Sequence, residues 1–98
     1  MSDQAMRETI KKTLQNRGVV FAGLFGSYAK KNARPDSDVD LMIEFGNKNK
    51  YSLFDLGGIK MDLENKLNRK VDLVTPRSVS PLLRSEIMET LEPLYDNR

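Results

Sequence analysis

From Asp38 to Phe45 the chain alternates: Val39, Leu41, Ile43 and Phe45 are apolar, while Asp38, Asp40, Met42 and Glu44 fall between them. A period of two is the mark of a strand with two unlike faces. The first set is expected to face the core and the second set the other way. Aspartate is a poor strand former, yet Asp40 sits between Val39 and Leu41, and Asp72 is set the same way between Val71 and Leu73. Alternation puts Asp38 and Asp40 side by side on one face. Asp72 joins them if the two strands are neighbours. A sheet face open to water also tolerates polar residues, so no single aspartate decides the matter.

The remaining segments surround this strand. Residues 3–16 carry Met6, Ile10 and Leu14 at four-residue spacing, which predicts an amphipathic helix ended by Asn16 to Gly18. Val19 to Phe25 is β-branched and aromatic, and predicts a buried strand. Gly26 and Ser27 turn the chain, with Ser27 placed to cap a short helix through Lys31. Asn32 to Ser37, holding Pro35, and Gly46 to Lys50 read as loops. Leu53, Leu56, Ile59, Leu63 and Leu67 follow a helical period that Gly57 and Gly58 interrupt, each costing about 1 kcal/mol relative to alanine. Tyr51, Phe54 and Met61 are assigned to the core rather than to an interface, on ordinary burial tendencies. Val71 to Val74 is a short strand. Ser80-Pro81 starts a last helix with Leu83, Ile87 and Leu91 as its stripe, Pro93 stops it, and Leu94-Tyr95 adds an edge strand. The expected fold is α/β (α+β), one mixed β-sheet with helices packed mainly on one face. Residues 1–98 are expected to form a single domain.

Composition removes several chemistries. The 98 residues include no Cys and no His, which excludes disulfides, thiol nucleophiles, imidazole bases and ordinary zinc sites. Any metal must be held by oxygen, which favours Mg2+ or Mn2+. The net charge of +2 is too even to argue for direct DNA binding. Met1-Ser2-Asp3-Gln4 lacks the basic and apolar parts of a secretory signal. No apolar stretch approaches the roughly 20 residues that span a bilayer. A cytoplasmic protein without membrane attachment is expected.

The Gly26-Ser27 turn supplies the second half of a site. Free backbone N–H groups at a following helix start form an anion site, the Ser27 hydroxyl adds a donor, and glycine lets a phosphate approach the main chain. The stretch lacks both the Gly-Lys-Ser/Thr ending of a P-loop and the Gly-x-Gly-x-x-Gly of a dinucleotide fold. Lys30, Lys31 and Arg34 flank the turn. Exposed loop cations are common, but the planar fork of Arg34 suits a triphosphate. Two carboxylates beside such a turn suit hard divalent cations and a nucleoside triphosphate.

Gly26-Ser27 followed by Ser37-Asp38-Val39-Asp40-Leu41 resembles the signature of the DNA polymerase beta nucleotidyltransferase superfamily. The chain is most similar to its minimal MNT-type members, which occur as antitoxins beside HEPN-domain toxins. The likeness extends through Arg69-Lys70-Val71-Asp72-Leu73-Val74-Thr75-Pro76-Arg77-Ser78. It implies the small nucleotidyltransferase fold. It also implies that Asp38 and Asp40 hold two magnesium ions, that Asp72 completes the acceptor-side metal, and that Gly26 and Ser27 contact the outgoing phosphates. Lys30, Arg34 and Ser37 are the further nucleotide-binding candidates. Family members often have Arg-Gly where this chain has Lys30-Lys31. The expected reaction is attack by a hydroxyl on the α-phosphorus of ATP or another nucleoside triphosphate. By the resemblance, the acceptor is a tyrosine of a HEPN toxin, which AMP transfer inactivates. Two alternatives stand beside this: an antitoxin acting by binding alone, and a transferase acting on a small molecule or an RNA end.

Overall fold

The computed structural model describes residues 2–29, 34, 37–46 and 50–98. Its elements run α1 (Asp3–Gln15), β1 (Val19–Phe25), β2 (Val39–Phe45), α2 (Leu53–Leu67), β3 (Val71–Val74), α3 (Pro81–Thr90) and β4 (Glu92–Asp96). The strands form one mixed sheet in the order β3-β2-β1-β4. β1 pairs antiparallel with both β2 and β4, and β2 pairs parallel with β3. The helix between β2 and β3 is what a parallel pair requires, since the chain must return to the same end of the sheet.

α1 starts where Ser2 accepts a hydrogen bond from the Ala5 N–H at 3.1 Å. It buries Met6, Ile10 and Leu14, the stripe expected from their spacing. These residues pack with Ile59, Leu63 and Leu67 of α2 and with Val39, Leu41, Ile43 and Phe45 of β2 into the main core. Burying a side chain such as Leu41 stabilises the fold by about 2–3 kcal/mol.

α2 runs unbroken through Gly57 and Gly58. Ser52 and Asp55 form a reciprocal capping box at its start, and its buried residues hold it against the sheet, which together outweigh the two glycines. Its outer side departs from expectation. Phe54 and Met61 are 90% and 66% exposed, and Leu53 is 83% exposed. Phe54 and Met61 are seven apart and share a face, but Ile59 and Leu63 lie on the opposite side of the helix. Only Tyr51 of the three residues assigned to the core packs inward, its ring stacked on Phe45 at 4.5 Å between centroids.

The other face of the sheet is partly covered by α3. Ile87 packs on Phe21 and Met42, and these three are buried in a second, smaller cluster. Met42, placed by alternation on the polar face, is therefore only 1% exposed. Two of the three helices still lie on the main core side, and the α3 side stays open enough to hold a cleft. β4 begins before Pro93 and includes it, which an edge strand tolerates, here opposite Gly23 where the register shifts. The Tyr95 hydroxyl donates to the Val19 carbonyl at 2.7 Å, and burial pushes its pKa up to about 12. No helix among the described residues is long and apolar enough to cross a membrane.

Candidate active site

The parallel pairing of β2 with β3 sets Asp40 directly beside Asp72. Both stand on the sheet face away from the main core, at the end where β1 finishes and β2 begins. The start of β3 is fixed from two sides. Asn68 takes a left-handed conformation, φ 54°, that ends α2. The Glu64 carboxylate accepts from the Val71 N–H at 2.9 Å. Asp72 is the next residue, so Glu64 helps set its register. No sequence pattern had singled out Glu64.

Asp40 is half-buried, and its pKa rises from 3.8 to about 6. Burial is the largest cause; the charges of Asp72 and Asp38 follow, and a carboxyl–carboxyl hydrogen bond with Asp72 adds to them. Each favours the neutral form. Asp38 is exposed and precedes the first residue of β2, and its charge adds to the causes that raise Asp40. Among the described residues no three carboxylates close into a ready-made metal cage. Two are brought together and the third stands nearby.

Gly26 explains how the turn and the carboxylates fit. Its φ is 70°, a conformation that glycine adopts freely and other residues resist. A Cβ at this position would also overlap the Asp40 carboxylate. The missing side chain therefore makes room for Asp40 as well as for any phosphate. The helix expected from Ser27 through Lys31 is not what the described stretch forms: residues 26–29 are a turn. Ser27 is half-buried there, and Tyr28 is buried in the main core, anchoring the turn from behind. An aromatic residue just past a glycine turn was the available signal for Tyr28.

Arg34 is exposed, as expected of a loop cation. Its N–H donates to the Ser37 hydroxyl oxygen at 2.8 Å, and the Ser37 N–H donates back to the Arg34 carbonyl at 2.9 Å. Ser37 thus closes the loop just before Asp38. Lys30, Lys31, Asn32, Pro35 and Lys48 lie outside the described residues.

Gly26, Asp40 and Asp72 line a cleft of about 450 Å³ whose other wall comes from α3, through Leu83, Glu86 and Thr90. A cavity of about 240 Å³ beside Arg17, Phe45 and Tyr51 lies at the far end of the sheet and holds none of these carboxylates. The larger cleft joins a glycine turn, paired carboxylates and apolar walls. Such a space can accept a charged polyphosphate at one end and an organic group at the other.

Residues 8–98 match the family described as Polymerase beta, Nucleotidyltransferase. A Methanocaldococcus jannaschii protein described as a candidate protein adenylyltransferase is 38% identical over 88 residues, 90% of this chain and 92% of the relative. The protein adenylyltransferase MntA of Thermococcus cleftensis is 39% identical over 82 residues, covering 83% of this chain and 77% of its own. Among solved structures, a candidate minimal nucleotidyltransferase superposes with a TM-score of 0.79 at 34% identity, over 92% of this chain and 90% of that one. A toxin–antitoxin complex with AMP-PNP contains a chain of the same fold, with a TM-score of 0.81 at 23% identity, over 94% of this chain and 74% of that one.

Proposed function

The chain belongs to the polymerase beta nucleotidyltransferase family, and from that premise we propose that it moves AMP from ATP onto a hydroxyl of a partner protein, in the manner of an antitoxin that adenylylates a HEPN-domain toxin. The observation that carries the reading is the register of β2 and β3, which pairs Asp40 with Asp72 against Gly26. The names of similar proteins support the choice of AMP and of a protein acceptor. The cytoplasm, where ATP is made and used, is the proposed site of action.

The donor set fits a hard divalent cation. Asp38, Asp40 and Asp72 offer only carboxylate oxygens, and a cation such as Mg2+ completes its shell with water and phosphate oxygens rather than a full protein cage. The crowding that raises the Asp40 pKa points the same way, because a cation removes the repulsion that burial and Asp72 create. When bound, Mg2+ or Mn2+ supplies charge neutralisation on the phosphates and lowers the pKa of the acceptor hydroxyl.

The chain's own residues do the rest. Gly26 leaves the turn free of a side chain, so the outgoing phosphates can lie close to the main chain, with the Ser27 hydroxyl as a donor. Arg34 adds positive charge toward the β- and γ-phosphates, and Lys30 is the further cation that the sequence offers for that role. Ser37 holds the loop at Arg34 in place. Asp72 accepts the proton of the attacking hydroxyl as the new P–O bond forms and the α–β bridge breaks, releasing pyrophosphate.

The test uses ATP labelled at the α-phosphate, Mg2+ and a candidate HEPN-domain protein. Label should move to that protein with the wild type and not with Asp40→Asn. Toxin neutralised with no label transferred would reject the reading in favour of an antitoxin that only binds.

A further inference from the structure

α3 forms a wall of the cleft whose outward side the transfer chemistry leaves unused. Ile87 holds the helix on the sheet. Leu82, Glu86 and Glu89 follow at i, i+4 and i+7 on an adjoining exposed face. Leu82 is 77% exposed and Leu83 is 47% exposed. Leu83 and Glu86 line the cleft itself, so this face runs without a break from the outer surface to the carboxylate pair. Glu86 and Glu89 have no ion-pair partner among the described residues, whereas Asp3, Glu8, Asp62, Glu92 and Asp96 each have one.

Charge decides which substrate meets this wall. A triphosphate turned toward Glu86 would face another carboxylate, one with no ion-pair partner among the described residues. Phosphate belongs instead at the Gly26-Ser27 end, where glycine leaves the main chain open beside Asp40. The α3 end is left for the hydroxyl-bearing substrate. Its apolar lip and unpaired acidic groups then ask for the opposite pattern in the partner.

We propose that Leu82, Leu83, Glu86 and Glu89 form the docking surface for the acceptor protein. The acceptor presents its hydroxyl on an amphipathic segment in which apolar residues alternate with lysine or arginine. This rests on the transferase reading above. The leucines supply burial, and the two glutamates select basic segments and repel acidic ones.

Two labelled synthetic peptides test it. Both carry one tyrosine and the same apolar residues, and they differ only in having three lysines or three glutamates. Their Kd values for the intact protein are read by fluorescence anisotropy at low salt. The lysine peptide should bind about tenfold more tightly, with the preference fading as salt rises. Glu86→Lys with Glu89→Lys should remove or invert the preference, and Leu82→Ser should weaken both peptides. Glu8→Lys, an equal single change on α1, should move the preference far less than Glu89→Lys. The melting-temperature rise with Mg-ATP, measured on the same wild-type sample, reports the transferase site separately. A charge preference without that rise sinks the transfer reading and leaves the docking surface standing. Equal binding of both peptides, binding of neither, or a preference that survives the double reversal overturns the docking surface.

Discussion

The two faces of β2 carry out different tasks with residues that alternate one by one. On one side Val39, Leu41 and Ile43 are fully buried and Phe45 nearly so, sealed under α1 and α2. On the other, Asp40 stands half-buried beside a second carboxylate, in a cleft only partly roofed by α3. Crowding two acids is unfavourable in the protein alone, and the sealed face supplies the stability that tolerates it. Changes on the first face should therefore act on folding, and changes on the second on chemistry.

The largest effect is expected from Asp40→Asn. On the proposed chemistry, in which Asp40 would hold a cation, the change should slow adenylyl transfer by about a hundredfold to a thousandfold, from the several kcal/mol such charge stabilisation supplies. Folding should not suffer, because the like-charge contact is relieved. Label transfer and a thermal melt on one preparation check both halves. Leu41→Ala, the neighbouring residue on the sealed face, should do the reverse. It should cost about 2–5 kcal/mol in urea unfolding, while any folded protein keeps its response to Mg-ATP.

Gly26→Ala tests the place where the two tasks meet. The positive φ costs about 1–2 kcal/mol for a residue with a Cβ, and the new methyl group would displace the Asp40 carboxylate. Stability and transfer should both fall. A variant with normal transfer would show that Asp40 does not need that position.

Gly57→Ala should stabilise the protein by about 1 kcal/mol, since a Cβ there meets nothing within 4 Å. Failure to stabilise would mean that the outer side of α2 is not free.

The smallest effect is a pH dependence. The Asp40 carboxyl titrates near 6 rather than 3.8, so the folded protein binds this proton more tightly than the unfolded chain does. That contribution to stability is fully present below about 3.8 and is lost as pH rises through about 6. Without metal, the melting temperature of the wild type should fall relative to Asp40→Asn between pH 4 and 7. A constant difference across that range would remove the electrostatic argument for the pair.

Much of this was legible in the residues. The period-two pattern of Val39–Phe45 and the matching setting of Asp72 predicted both strands and the face the acids share. Ser80-Pro81 marked the start of α3, and the spacing of Met6, Ile10 and Leu14 marked α1. What the pattern missed has a common cause: a helical or strand period says which residues share a face and not what that face meets. Phe54 and Met61 share a face that the described fold leaves largely exposed, while Met42, on the acidic face, meets Ile87 from a helix 45 residues away in sequence. The overlap of Gly26 with Asp40 and the bond from Val71 to Glu64 depend on the register between strands and on how α2 hands the chain to β3. Neither is written locally in the residues concerned.

If Asp40 and Asp72 form a cation-dependent nucleotide site, the melting temperature with and without Mg-ATP reports it. The wild type should melt several degrees higher with Mg-ATP, by the linkage of binding to folding. Asp40→Asn should melt at least as high as the wild type without ligand and gain almost nothing with it. An equal gain in both proteins would contradict the account.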